Sequence, residues 1–365
     1  MAPSALLPDP EPEYVVVHAG KGTIKREILK GDKKKPTFET ITQVDFSKMN
    51  SPSLEDRKGI AKEIGAAFRD SGFLYAANHD IDQALQEELY DVMKEFFALP
   101  LEEKMKIHVN KSDTIKGYEA LLETKLDAST RGDLKEAFAM GDDPYDVEQS
   151  APSTLDRTPY PPNGNQWPTS PKDFRKILYA YHTAVLSFSK KLMQLIALSL
   201  DLPETYFDHM SSFPMGGLRA LHYPPQPSTS DVGIGAHADY SWFTLVNQLS
   251  PTPALEVLNH NGAWVSAPPI KGTLVVNVGD FLEMATEGRY VSTVHRVVNL
   301  TGEERYSMAW FFSPSADVLI ETLPGCEIEG KEGVRVNAGD WQRERLLRAR
   351  YKHPSSVAAR ARGEL

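Results

Sequence analysis

Cysteine is almost missing from this chain: Cys326 is the only one in 365 residues. That excludes an internal disulfide and any cysteine-built metal knuckle, and it fits a reducing compartment. Long hydrophobic runs are missing too, since no stretch approaches the roughly 18 apolar residues that a membrane span requires. The segment from Met1 to Tyr14 carries Pro, Glu and Asp without an apolar run, so neither a secretory leader nor an anchor is expected there. Positive charge is in deficit: 40 Lys and Arg stand against 50 Asp and Glu, a formal net charge of −10. A nucleic-acid surface or attraction to an anionic membrane would need the opposite balance. Gly20-Lys21-Gly22-Thr23 lacks the spacing of a phosphate loop. No internal repeat and no low-complexity block is present. What remains is an ordinary globular composition, 41% hydrophobic and 25% charged, with enough apolar content for a sizeable core, expected in the cytoplasm. The reading leaves a homodimer open.

The periodicity divides the chain. Residues 1–12 are expected to be a disordered tail, and 13–365 a single domain with three parts. Residues 13–213 read as mainly helical with accessory strands. The alternating run Ile41-Thr42-Gln43-Val44-Asp45-Phe46 predicts a strand, and 72–77 predicts another. Helices are predicted over 53–70, with Ser53 as N-cap and Leu54, Ile60, Ile64 and Phe68 on one face, and over 81–97. The basic segment 21–35 reads as polar surface, and 141–171 as a long irregular loop. The strongest helix signal covers 171–200, where Phe174, Leu178, Tyr181, Val185, Phe188 and Leu192 recur at three- and four-residue spacing.

After Pro214 the apolar period changes to two. Short runs at 218–223, 243–248, 254–258, 263–266, 274–278, 291–298 and 306–312 are separated by Gly, Pro, Asn or Asp. That pattern marks an antiparallel barrel or jelly roll over 214–315. The extension 316–365 is expected to end in a helix from Asp340, its N-cap, to Tyr351. The fold class is therefore mainly β with flanking helices.

Two short motifs carry chemistry. In Ala236-His237-Ala238-Asp239-Tyr240, residues two apart on a strand point to one side, so His237 and Asp239 can present an imidazole and a carboxylate to one cavity. His295, in Val294-His295-Arg296, can supply a second imidazole from another strand. Two His and one carboxylate with open positions suit iron(II) in oxygen-activating enzymes. Ten residues after His295 comes Arg305-Tyr306-Ser307. Arg305 and Ser307 share a face, and a guanidinium buried in a barrel needs an anion, best a carboxylate held bidentately. By the same parity Trp310 and Phe312 face away from the metal, while Ala309 and Phe311 share the side of Ser307. His222 falls out of phase with Tyr223, His182 reads as structural, and Asp280 reads as a turn cap.

The order His-x-Asp, His, Arg-x-Ser resembles the isopenicillin N synthase-like branch of the 2-oxoglutarate and iron(II)-dependent oxygenases, in its fungal form. The similarity extends through Lys116-Gly117-Tyr118, Asp133-Leu134-Lys135-Glu136, Asn165-Gln166-Trp167-Pro168, Leu218-Arg219-Ala220-Leu221-His222-Tyr223-Pro224-Pro225 and Val276-Asn277-Val278-Gly279-Asp280. The resemblance implies a double-stranded β-helix core, a jelly roll of the cupin kind. It implies iron(II) on His237, Asp239 and His295. It assigns the distal carboxylate of 2-oxoglutarate to Arg305 and Ser307, with a further hydrogen bond from Tyr223. Leu221 stands where plant members often have Asn.

The implied reaction consumes O2 and 2-oxoglutarate, oxidises a C–H bond, and releases succinate and CO2. Hydroxylation, desaturation and ring formation are its usual outcomes, and a biosynthetic role on a small natural product is the expected setting. Trp242, Phe243, Lys125, Arg131 and Trp167 are the candidate substrate contacts, with core packing the preferred reading of Phe243 and an equal one for Trp242. Three other readings stand beside this one: an iron oxidase of the same fold that uses no 2-oxoglutarate, a ligand-binding barrel without turnover, and a zinc hydrolase.

Overall fold

A computed structural model of the chain describes residues 12–19, 22–126, 131–141, 143–146, 153–155, 157, 164–228, 231–350 and 352–365. The expected tail, apart from residue 12, and much of the expected 141–171 loop lie outside these. The chain enters through strands β1 (Tyr14–Ala19) and β2 (Gly22–Glu27), an antiparallel pair. The described part of 21–35 stays at the surface as read, but the sequence reading does not separate out β2 within it. The backbone of β2 pairs with the β-branched run Val15-Val16-Val17, and its polar composition hides that partnership.

Next come β3 (Gln43–Asp45), α1 (Leu54–Asp70), β4 (Phe73–Ala77) and α2 (Gln83–Phe97). Ser53 caps α1 by accepting the amide of Asp56 at 3.4 Å, and Ile60, Ile64 and Phe68 form its buried stripe. Leu54, expected on that stripe, is exposed at the first turn. Helix α2 starts two residues later than predicted, because Asp82 caps it by accepting from Ala84 N at 2.9 Å. Gly72 joins α1 to β4 with φ +71°, and a Cβ there would lie 2.0 Å from the Val291 carbonyl oxygen, so the turn requires glycine. The short α3 (Leu101–Met105), β5 (Gly117–Glu119), β6 (Glu136–Gly141) and the long α4 (Phe174–Ser199) complete this half.

The core strands follow as β7 (Pro214–Tyr223), β8 (Ile234–His237), β9 (Phe243–Gln248), β10 (Leu255–Leu258), β11 (Trp264–Ser266) and β12 (Thr273–Val278). After helix α5 (Asp280–Ala285) come β13 (His295–Val297) and β14 (Arg305–Ser315). Strands β12, β9, β14 and β7 sit side by side in a sheet of eight that β3, β4, β6 and β5 extend. Strands β11, β10, β13 and β8 form the facing sheet, which β1 and β2 extend. This is the expected jelly roll. Strand β13 is shorter than the apolar run 291–298, because Ser292 N is taken by Glu283 at 3.0 Å and the chain before His295 leaves the ladder.

Strand alternation separates two cores. On β7 and β14, Leu218, Ala220, Met308, Trp310 and Phe312 face the helices and join the core built by α1, α2 and α4. Leu221, Tyr223 and Ala309 face inward, with Phe73, Val257, Val275 and Val297. The predicted parity of Trp310 and Phe312 therefore holds, and Trp310 Nε1 donates to Ser189 on α4 at 2.9 Å. His182 is buried edge-on to Trp310, and His222 lies on the helix side, stacked on Tyr306 and 2.8 Å from Glu136.

The chain ends with β15 (Leu319–Glu321), β16 (Arg335–Asn337), α6 (Ala338–Ala349) and α7 (Pro354–Ala361). Two expectations change here. The N-cap of α6 is Asn337, whose Oδ1 accepts from Asp340 N at 2.9 Å, so Asp340 sits in the first turn. The last helix is α7, started by Pro354 in the first turn. Among the described residues no helix is long and apolar enough to cross a membrane.

Candidate metal centre

His237 is the last residue of β8 and His295 the first of β13, and the two are direct cross-strand partners. Asp239 lies beyond the end of β8, so it shares a side with His237 through the turn that follows and not through a continuing strand. Backbone bonds hold that turn: Asp280 N donates to Asp239 O at 2.7 Å, Gly279 N to Trp242 O at 3.0 Å and Phe281 N to Ser241 O at 3.1 Å. A Cβ on Gly279 would lie 2.3 Å from the Ser241 carbonyl oxygen, so the approach is available to glycine alone. Asp280 opens α5 and pairs with Arg345 at 3.2 Å, a bracing role in place of the expected turn cap.

The three side chains converge, with one ligand atom from each lying within 4.8 Å of the others. The imidazoles sit 4.3 Å apart between centroids. His237 Nε2 is 3.6 Å from Asp239 Oδ1, and His295 Nε2 is 3.7 Å from Oδ2. Each Nδ1 lies near the carbonyl two residues before it in the chain, Gly235 O at 2.9 Å and Thr293 O at 3.2 Å. Those carbonyls accept from Nδ1–H, which fixes the tautomer and turns both Nε2 lone pairs toward Asp239. Asp239 Oδ2 accepts from Thr244 Oγ1 at 2.6 Å and Asn277 Nδ2 at 2.8 Å. Burial by itself would raise the Asp239 carboxyl, but His295, His237 and these two hydrogen bonds outweigh it and hold it below the usual range.

Along the same inward face, Arg305 stands opposite Tyr223 and Ser307 opposite Leu221 and Gln248. Arg305 is 1% exposed. Nη1 donates to Ser307 Oγ at 3.2 Å, Nη2 to Gln248 Oε1 at 3.2 Å, and the guanidinium lies 4.9 Å from the Tyr223 ring centroid. No carboxylate pairs with it among the described residues, and its buried Nε has no acceptor. Desolvation pushes its basicity down. A buried cation in that condition calls for an anion from outside the chain.

Comparison with known proteins bears directly on this arrangement. Residues 41–170 match the N-terminal family described as non-haem dioxygenase in morphine synthesis, and residues 215–314 match the 2OG-Fe(II) oxygenase superfamily. A 2-oxoglutarate-Fe(II) type oxidoreductase of Emericella nidulans, hxnY, is 35% identical over 81% of this chain and 85% of its own length. The chain belongs to the 2-oxoglutarate–iron(II) oxygenase superfamily. Homoarginine-6-hydroxylase of Arabidopsis thaliana is 32% identical over 80% of this chain and 89% of its own. A full-length Neurospora crassa protein, crystallised in complex with alpha-ketoglutarate and thymine, superposes with a TM-score of 0.71, at 28% identity, over 83% of this chain and 96% of that one. Iron(II), 2-oxoglutarate and O2 are thus the cofactor and co-substrates of this oxygenase. The donor set fits: two imidazoles and one carboxylate for the metal, and a buried guanidinium with only neutral partners for a distal carboxylate.

In front of the triad the oxygenase has an open cavity of about 640 Å³ including its mouth, lined by His237, Ala238 and Asp239. The anticipated substrate residues do not meet there. Trp242 packs on Phe207 and Phe281, and Phe243 stacks on Phe312, both in the helix-side core. For Phe243 the physical reason is strand phase, since the odd residues of β9 turn to the helices; Trp242 belongs to the turn before β9, tied to Phe312 O and Gly279 N. Trp167 lies between Phe138 and Tyr179. Arg131 is more than half exposed and pairs with Asp231 at 2.8 Å. Lys125 sits between Thr124 and Leu126, which line the cavity, without lining it itself.

The cavity wall is instead charged, with Lys135, Arg219, Arg345 and Arg350 on it. Sequence reasoning missed these four and the supports Thr244, Gln248 and Glu119. The available signal was phase: Arg219 has the same inward phase as Leu221 and Tyr223, as Gln248 and Thr244 do on β9.

Proposed function

We propose that this oxygenase oxidises a C–H bond of a small molecule, with His237, Asp239 and His295 holding iron(II) and Arg305, Ser307 and Tyr223 holding the distal carboxylate of 2-oxoglutarate. The observation that carries the reading is the buried Arg305, without a carboxylate of its own, on the barrel face that also presents Thr244 to the Asp239 ligand. When bound, the iron and 2-oxoglutarate supply oxidation by O2, with succinate and CO2 as co-products.

The chain's own contribution is positioning. The Gly235 and Thr293 carbonyls orient the imidazoles. Thr244 and Asn277 donate to Asp239 Oδ2 and hold the carboxylate in place, so the ligand set carries a single negative charge that offsets part of the metal's. Arg305 fixes the far end of the co-substrate, with Ser307 and Tyr223 bounding it. The apolar barrel interior (Val257, Val275, Val297 and Phe73) excludes water from around the clamp.

Support for a small-molecule substrate comes from the relatives. Homoarginine-6-hydroxylase and clavatol oxidase of Penicillium crustosum are named for small compounds, and the Neurospora crassa protein was crystallised with thymine. The setting we infer is secondary-metabolite biosynthesis in the cytoplasm, without nucleic-acid or membrane partners, and cell fractionation and sizing of the purified protein test the location and any homodimer. The deciding assay is O2-dependent release of succinate from 2-oxoglutarate by iron-loaded protein. It is expected to be lost in His237→Ala. Uptake of O2 without succinate would replace this reading by that of an oxidase.

A further inference from the structure

The cavity in front of His237 and Asp239 is walled by cations whose charge is incompletely matched inside the protein. Lys135, Arg219, Arg345 and Arg350 line it, while Asp133 is the one lining acid besides Asp239 among the described residues. Behind the wall, Glu119 on β5 is shared by three of the four. Its Oε2 accepts from Lys135 Nζ at 2.5 Å and from Arg219 Nη2, and its Oε1 accepts from Arg350 Nε at 3.1 Å. One carboxylate cannot saturate two guanidinium forks and an ammonium group.

The leftover donors are identifiable. Arg219 Nε is buried without an acceptor. Arg345 gives Nη2 to the Ala238 carbonyl at 3.2 Å and pairs with Asp280, but its buried Nη1 has no acceptor. Asp133 offsets part of the charge on Lys135 through space, but it makes no ion pair with any of the four cations among the described residues; its Oδ1 accepts from Gly235 N at 3.1 Å and braces β8. Desolvation pushes Lys135 down to about 7 and Arg219 to about 9, so burial weakens the charge on both and an anion at the wall would restore it. Cations from β7, from the segment before β6 and from α6 have been brought to one wall beside the metal ligands.

We propose that the prime substrate carries a carboxylate that docks on Arg219 and Arg350, leaving the bond to be oxidised in front of His237 and Asp239. This inference rests on the function proposed above and names its substrate class. The clamp is separate from that of the co-substrate. Arg219 pairs in register with Ala309 and Arg305 with Tyr223, four residues further along the same two strands. That separates their Cα positions by about 13 Å. Arg305 does not line the cavity. A planar carboxylate matches the planar forks left on the wall.

The test uses the full-length protein loaded with iron(II) and saturated with 2-oxoglutarate under anaerobic conditions. Calorimetric titrations compare phenylacetate, 4-phenylbutyrate, octanoate and hippurate, each against its primary carboxamide. At least one acid is expected to bind about tenfold or more tightly than its amide, the scale of a hydrogen bond to a charged group. Arg219→Gln removes that preference, Arg219→Lys restores part of it, and the co-substrate still binds. Should Arg219→Gln fail to fold, Arg350→Gln at the end of α6 carries the same expectation. The proposal is overturned if no acid binds, if acids and amides bind alike, or if the preference survives both substitutions. It is also overturned if excess 2-oxoglutarate displaces the acid and Arg305→Gln abolishes its binding, since the acid would then occupy the co-substrate site. A protein that binds neither iron nor 2-oxoglutarate would overturn the functional reading itself, and this inference with it.

Discussion

Replacing Thr244 by valine removes one hydroxyl from the support of the metal site and changes little else. Thr244 is 1% exposed, and valine matches its shape without its oxygen. The lost contacts are the 2.6 Å hydrogen bond from Thr244 Oγ1 to Asp239 Oδ2 and the longer 3.2 Å one between the Thr244 and Ser241 hydroxyls; only the first touches a metal ligand. A hydrogen bond to an ionised acceptor contributes about 1.5–3 kcal/mol. Asn277 Nδ2 still donates to the same oxygen at 2.8 Å, so the lower end applies. About 1.5 kcal/mol corresponds to roughly a tenfold loss of iron(II) affinity, within the range known for groups that orient metal ligands. Anaerobic competition against a chromogenic iron(II) chelator measures this directly. Asn277→Ala alone should cost a similar factor. The double variant should lose more than the product of the two, because the first loss leaves the second donor carrying Asp239 unaided. An iron affinity of Thr244→Val within about twofold of the parent would refute the argument that Asp239 is held for the metal by these donors.

Three further outcomes follow from the buried polar groups. Glu136 accepts from Lys104 at 2.7 Å and from Tyr118 at 2.6 Å, and it meets His222; burial would raise its carboxyl, yet these partners hold it low. Glu136→Gln should therefore lower unfolding stability by about 3 kcal/mol at pH 7. In the parent protein this contribution is present above the ordinary glutamate value near pH 4 and is lost as the pH falls through and below it; urea unfolding across that range is the check. His182 is buried and depressed to about 4, so it stays neutral in the fold while the unfolded chain takes up a proton below its usual value of about 6.5. His182→Leu should remove about 2 kcal/mol of the parent's destabilisation between pH 7 and pH 5, and equal loss in both proteins would contradict the assignment. Ser189→Ala leaves the Trp310 indole N–H without its 2.9 Å acceptor in the core and should cost about 1–3 kcal/mol by thermal unfolding.

Much of this oxygenase is readable from residue order because its key groups obey strand alternation. His237, His295, Arg305 and Ser307 converge on the inside, and the parity that sends Trp310 and Phe312 to the helices follows from the same rule. The helices over 54–70, 83–97 and 174–199 announce themselves by spacing and caps. Three things escaped for physical reasons. The partnership of β2 with β1 resides in backbone hydrogen bonds between a polar and an apolar strand. Trp242 and Phe243 follow the metal motif closely in sequence, which leaves pocket and core both open for them; the turn at Asp239–Ser241 sends them outward, the core reading preferred for Phe243. The cation wall is assembled from residues more than two hundred positions apart, Lys135 to Arg350, so no local pattern announces it. Within it, only the inward phase of Arg219 could have been read beforehand.

The most direct test of the central account is anaerobic titration of iron(II)-loaded protein with 2-oxoglutarate, following the visible charge-transfer band of the chelate. The account predicts a band that is absent in His237→Ala and that needs at least about tenfold more 2-oxoglutarate in Arg305→Gln, which loses the charged partner of the distal carboxylate. Iron binding without a band, or a band that Arg305→Gln leaves unchanged, would contradict it.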